Sequence, residues 1–163
     1  MFSQSVKLLM IKCFLGQMRI DSLWKKNTLL VNAEDVVNLP PQLIVNSHIS
    51  PRHGKILGTE YSHFYKHENH ISCSFHQKFG PMQFLLTFEK VIECFPEKSV
   101  IHFRTVNSIV NMEGAWTVKK NGTGTHLTLN QECIVPSWAP RRLAEKVIKM
   151  RVEDIFQNFK NHE

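Results

Sequence analysis

The chain is poor in the residues and spacings from which many sites are built. Four cysteines are spread over 163 residues, and no two form a CxxC pair. That spacing argues against a small disulfide framework, and reduced, partly buried thiols in a reducing compartment are expected. Glycine and proline number only seven each, with 42% hydrophobic and 21% charged residues. This balance excludes a collagen and a wholly disordered chain. No apolar run approaches the roughly twenty residues a membrane helix needs; residues 6–15 come nearest and are broken by Lys7 and Lys12. A polytopic membrane protein is therefore excluded. Only two tyrosines accompany eleven phenylalanines, so most of the aromatic surface has no polar handle. The sequence contains no phosphate-cradling glycine loop, no GxSxG elbow, no HExxH pair, no aromatic ribonucleoprotein motif and no zinc-finger spacing. No metal and no cofactor are expected.

What is present begins with charge. The formal net charge is +6 and the isoelectric point about 9.3. A basic balance favours an anionic partner such as RNA, a ribosome or a membrane surface. Nothing in the sequence suggests the reading of DNA. Lys7, Lys12 and Arg19 precede the first acid, Asp21. That pattern resembles a weak organelle transit peptide, although residues 6–15 are read here as a first strand. A cytoplasmic location is expected, with mitochondrion or plastid as the alternative. Asn121-Gly122-Thr123 is formally a glycosylation sequon, but a turn explains it better.

At 163 residues the chain has the length of one domain, enough to bury a core without staples. Between residues 43 and 135 it reads as strands, at 42–50, 56–65, 70–79, 82–94, 98–107, 112–120 and 124–134. Breaks fall at Pro51 to Gly54, at Lys66 to Asn69, at Gly80-Pro81 and at Phe95 to Lys98. Asn121-Gly122 suits a type I′ hairpin, and connections this short make neighbouring strands antiparallel. Alternation sets Met82, Phe84, Leu86 and Phe88 on one face. It sets Ile101 and Phe103 against His102 and Arg104, and Leu127 and Leu129 against His126, Thr128 and Asn130. Trp116 and Val118 share a face with Gly114. One face of the sheet is thus apolar and the other wet.

The last segment changes period. From Pro140 to about Lys160, Ala144, Ile148, Val152, Ile155 and Phe159 recur at spacings of three and four, and Leu143, Val147, Met150 and Phe156 widen the stripe. This is an amphipathic helix with proline in its first turn. Its length, roughly 30 Å, matches a ten-residue strand of roughly 33 Å. Residues 19–40 suggest two short helices, one capped by Ser22 and running through Trp24 and Lys26, the other over 32–37 and ended by Pro40 and Pro41.

This order is that of the helix-grip fold, an α+β domain in which a curved antiparallel sheet wraps around one long C-terminal helix. The residues after 88 sharpen the likeness. Glu93-Cys94-Phe95-Pro96-Glu97 is followed by Val100-Ile101-His102-Phe103-Arg104, then Glu113-Gly114-Ala115-Trp116 and Gly124-Thr125-His126-Leu127-Thr128-Leu129, and the helix opening Pro140-Arg141-Arg142-Leu143 closes the pattern. The succession resembles the START-like superfamily, in its polyketide cyclase and coenzyme Q-binding branch. The resemblance covers about the last seventy-five residues well and implies a single domain over 1–163. Residues 41–88 fit it in order, and Ser22-Leu23-Trp24 stands where the family has a Trp-bearing helix.

Such a family implies a hydrophobic cavity between sheet and helix that holds lipids, quinones or polyketides. The function expected is therefore non-catalytic binding or transport of such a molecule. The candidate ligand-binding residues are Met82, Phe84, Leu86, Phe88, Phe103, Trp116, Leu127, Leu129, Val152, Ile155 and Phe156. Packing by the many phenylalanines is the competing expectation for the same space. Trp116 is read first as core, and Trp138 as a gate or a staple at the helix entrance. His48, His53, His63, His67, His70 and His76 cluster in sequence without ligand spacing, and solvated positions on the wet face are expected for them. Glu89, Glu93 and Glu113 read as solubilising acids, and Arg141, Arg142, Lys146, Lys149, Arg151 and Lys160 as a solvated helix face. A ribosome- or RNA-associated protein is one alternative, a polyketide cyclase-type enzyme the other. A cyclase would need an acid or base in the cavity, and alternation puts His102 and Arg104 on the wet face.

Overall fold

The computed structural model describes residues 18–79 and 81–163. The run 6–15, read as strand or transit segment, lies outside the described residues, as do Cys13 and Gly80. The elements are β1 Arg19–Lys25, β2 Thr28–Val37, α1 Pro41–Ile49, a 3-10 helix Pro51–Leu57, β3 Tyr61–His67, β4 His70–Phe79, β5 Met82–Cys94, β6 Lys98–Thr105, β7 Asn111–Asn121, β8 Gly124–Ile134 and α2 Arg141–Asn161. The eight strands form one antiparallel sheet in the order β1-β2-β8-β7-β6-β5-β4-β3. The sheet is curved and not closed. Strands β3 to β8 are a meander of short hairpins. The link from β2 to β3 is longer and carries the chain through α1 and the 3-10 helix from one side of the sheet to its opposite edge.

The first four elements differ from expectation. Residues 22–25 and 32–37 are strand, not helix, and Lys26 lies in the turn between β1 and β2. In β2 the buried side chains Leu29, Val31, Ala33, Asp35 and Val37 alternate with outward ones, so the period is two. Asp35 breaks the apolar pattern and disguises it. Ser22 caps nothing, and Trp24 sits on a strand, paired with Leu29. Residues 42–49 are helix rather than strand, because Pro40 and Pro41 start a helix instead of ending one. Pro41 occupies the first turn, where its missing N–H leaves no bond unmade. Residues 51–57 are a 3-10 helix rather than a break followed by a strand, and Gly58 ends it in the left-handed region at φ 69°. The turn after Asn121 also differs: Gly122 is its first central residue, at φ 60°, and Thr123 is not at positive φ. That is the pattern of a type II′ turn rather than I′.

Helix α2 covers the expected segment. Ile148, Val152, Phe156 and Phe159 are buried on its inner face, while Leu143 and Met150 are exposed. Both of its ends are tied to the β1–β2 hairpin. At the start, Ser22 Oγ and Trp24 Nε1 donate to Glu145 at 2.6 and 2.9 Å. These two bonds hold the Glu145 carboxyl below its ordinary range. The Arg141 guanidinium lies 4.9 Å above the Trp24 ring and donates to the Lys26 carbonyl at 2.6 Å. At the far end Lys160 pairs with the buried Asp35 at 2.8 Å, and the Asn38 backbone N–H donates to Glu163 at 3.0 Å. Burial pushes the Asp35 carboxyl up, and Lys160 offsets part of that rise. Arg141 and Lys160, and Arg151 through its bond to Thr59 Oγ1 at 3.3 Å, are therefore structural contacts, not members of a free solvated face.

The core lies between the sheet's inner face and α2. Trp116 packs on Phe156 at 5.6 Å and on Phe159 at 6.5 Å, and Phe103 is buried in the same interior. Close approach of β7 to β8 is set by Gly114. A Cβ there would stand 2.3 Å from the Asn130 carbonyl and 2.8 Å from Gln131 Cα, both backbone atoms. Gly114→Ala must therefore push the two strands apart. It is expected to lower stability by about 2–3 kcal/mol and the midpoint of a thermal melt by about 5–10 °C, as read by circular dichroism.

Candidate functional site

Eight strands spaced about 4.8 Å apart make a sheet roughly 34 Å wide, whereas a helix with its side chains is about 10 Å across. One helix cannot cover that surface. Because α2 is tied to the β1–β2 side, the uncovered part of the inner face lies toward β3, β4 and β5. Aromatic side chains fill some of it. Phe75 stacks on Phe88 at 5.4 Å, Phe88 meets Phe103 edge-on at 6.1 Å, and Tyr61 meets Phe75 at 6.0 Å and Phe64 at 5.2 Å. The rest is a cavity of about 280 Å³. That is near the lower end of small-molecule sites.

Nine of the eleven candidate residues line it. Met82, Phe84, Leu86 and Phe88 come from β5, Phe103 from β6, Trp116 from β7 and Leu129 from β8, while Val152 and Ile155 come from α2. Leu127 and Phe156 do not line it. Both are fully buried in the solid part of the core, Phe156 against Trp116. At the outer end stand Trp138, Ile109, Leu143, Ile134 and Met82, all exposed apolar residues, with Trp138 at 73% and Ile109 at 65% exposure. They form an apolar rim. Trp138 follows β8, as a residue at the helix entrance should.

The inner end is polar, and sequence reasoning did not find it. Lys90, on β5, is 7% exposed, and its ammonium lies 5.9 Å from the centre of the Tyr61 ring. His48, on α1, is 2% exposed rather than solvated, and its ring lies 5.3 Å from that of Trp116. Neither His48 nitrogen has a hydrogen-bond partner among the described residues. Gln131 and Thr59 are buried beside the same space, and Arg151 reaches it from α2 while donating to Thr59 Oγ1 at 3.3 Å. The signal that could have found Lys90 is the inward stripe Leu86, Phe88, Lys90, Ile92, where a charge interrupts an apolar alternation. The sequence hides His48 because residues 42–50 read as a strand. The other clustered histidines, His63, His67, His70 and His76, are exposed, and His53 is half-buried.

Burial sets the protonation states. It pushes His48 well below its ordinary value, with the Lys90 charge adding to the effect, so the imidazole is neutral. It also lowers Lys90, against a weaker upward pull from Cys73. Burial raises the Tyr61 phenol and the Cys73 thiol, and lifts the Cys133 thiol to about 11. The Cys73 and Cys133 sulfurs are therefore inert thiols at neutral pH. On the opposite, wet face, Arg104 pairs with Glu89 at 2.7 Å and His102 with Glu93 at 3.5 Å. These groups do not reach the cavity.

No protein-family model matches the chain, and no curated protein matches it by sequence. Solved structures do match. The Zhui aromatase/cyclase from Streptomyces sp. R1128 superimposes with a TM-score of 0.68 at 14% identity, over 83% of this chain and 93% of that one. The STAR-related lipid transfer protein from Xanthomonas axonopodis gives 0.65 at 10% identity, over 88% and 97%. The human StarD13 lipid transfer and protein localization domain gives 0.60 at 11% identity, over 98% of both chains. The fold is thus START-like, and these likenesses are of fold alone.

The buried imidazole has a consequence for acid stability. A histidine whose folded value is depressed takes up its proton more readily in the unfolded chain. Stability is then retained above the unfolded value of about 6.5 and lost as pH falls below it. The slope for one group is at most about 1.4 kcal/mol per pH unit. Thermal melts at pH 7 and pH 5 are expected to show a drop in the wild type that is smaller in His48→Phe.

Proposed function

We propose that this protein binds a hydrophobic small molecule non-covalently in the cavity between the sheet and α2. The observation that carries the proposal is the cavity itself, walled by apolar side chains and rimmed by exposed ones. An apolar guest leaving water gains about 25 cal/mol for each Å² it buries, and the walls offer Phe84, Leu86, Phe88, Leu129, Val152 and Ile155 as its contacts. Two of the structural neighbours are named for lipid transfer, which supports a lipid-like guest. The exposed Trp138, Ile109 and Leu143 give such a guest an apolar path from the surface.

A second reading is favoured by one feature, the presence of His48, Tyr61 and Lys90 on a largely apolar wall. Groups able to hold or move a proton beside a ligand's carbonyl are what a cyclase requires, and one neighbour is an aromatase/cyclase. A cyclase would convert an added polyketide chain, whereas a carrier would return its guest unchanged.

Organic extraction of the purified protein followed by mass spectrometry is expected to yield a bound apolar compound. Ile155→Trp, which fills the cavity from α2, is expected to abolish recovery of that compound. It should also weaken uptake of the fluorescent probe N-phenyl-1-naphthylamine by about tenfold or more, with a stability loss of about 1–3 kcal/mol. Equal probe uptake by the wild type and Ile155→Trp would count against a guest in this space.

A further inference from the structure

The inner end of the cavity carries charge of one sign. Lys90 and Arg151 line it, and among the described residues no aspartate or glutamate does. Lys90 forms no salt bridge among the described residues. Its neighbours are the Tyr61 ring, the Cys73 thiol and the His48 imidazole. A buried ammonium normally has an anionic partner, because an unpaired charge away from water is costly. His48 adds a second, independent gap. It is 2% exposed, it lines the same cavity, and both of its ring nitrogens lack a hydrogen-bond partner among the described residues. Buried polar groups of this kind are satisfied in most structures. The Asp35–Lys160 pair shows the chain supplying the missing half where a charge is buried for structure alone.

We propose that the guest completes this set: the cavity takes an amphiphile with an apolar body and one terminal carboxylate, and Lys90 anchors that carboxylate at the inner end. The proposal rests on the cavity reading above and names the class of its ligand. One carboxylate oxygen pairs with Lys90 Nζ, and the other accepts from the N–H of the neutral His48 ring. Gln131, buried alongside, offers a further amide donor. The apolar body then lies along Phe88, Leu86 and Ile155 toward the apolar rim at Trp138. The energetics favour an acid over an alcohol of the same length. Lys90 is already largely desolvated in the folded protein, so binding removes mainly the ligand's carboxylate from water and gains a charge-assisted bond in an apolar enclosure.

Isothermal titration calorimetry with decanoate and with decanol, on the wild type and on Lys90→Met, tests this. The wild type is expected to bind decanoate about tenfold or more tightly than decanol. Lys90→Met, which keeps an unbranched chain of similar length, is expected to bind decanoate no better than decanol. Binding of both probes with no preference in the wild type would overturn the anchor and leave the cavity reading standing. So would a preference that survives in Lys90→Met. Binding of neither probe would overturn the cavity reading and the anchor together. Lys90→Arg, which keeps the charge, is expected to retain a preference for decanoate. If Lys90→Met does not fold, the wild-type pair decides alone.

Discussion

Helix α2 is fastened at both ends to the same edge of the sheet, and the arrangement of the interior follows from that. Glu145 receives Ser22 and Trp24 near its start, while Lys160 and Glu163 meet Asp35 and Asn38 at its end. All four partners lie on or beside the β1–β2 hairpin. Tied there, the helix presses Val152, Phe156 and Phe159 against the middle of the sheet through Trp116. It cannot also cover β3, β4 and β5. The space left on that side is the cavity, and its position is a result of where the ties are rather than of loose packing.

The tied side and the open side have different chemistry. On the tied side each buried charge has its partner in the chain, as Asp35 has Lys160. On the open side the buried groups are left incomplete. Lys90 lacks an acid among the described residues, and His48 lacks any hydrogen bond there. Incomplete polar groups inside an apolar enclosure are costly for a protein that has no use for them. Their presence at the end of a cavity whose mouth is apolar gives the space a polarity along its length, from Trp138 inward to Lys90. A guest with one polar end fits that gradient better than a uniformly apolar one.

Much of the fold was legible because its strongest signals were local. The strands from residue 70 onward alternate with few interruptions, the hairpins are short, and the last twenty residues keep helical period without glycine. The early part was not legible, for reasons that particular residues make plain. Asp35 sits at an inward position of β2 because Lys160, some 125 residues later, neutralises it. No reading of residues 28–37 alone contains that fact. Pro40-Pro41 can end one helix or begin another, and only the packing of Ile44 and Val45 into the core decides. The apolar wall of the cavity was visible as one face of β5, and most of its candidates do lie there. Its polar end depends on α1 bringing His48 over Trp116, a tertiary contact with no mark in the local sequence.

The account depends on unfilled space between the open half of the sheet and α2. Methyl resonances of the protein under xenon pressure measure that space directly, since xenon enters apolar cavities without needing a specific contact. Leu86, Leu129, Val152 and Ile155 methyl groups are predicted to shift with xenon, while those of Leu127 and Ile101 in the solid core stay in place. Uniform silence across all of these methyl groups, or shifts confined to Leu127 and Ile101, would contradict it.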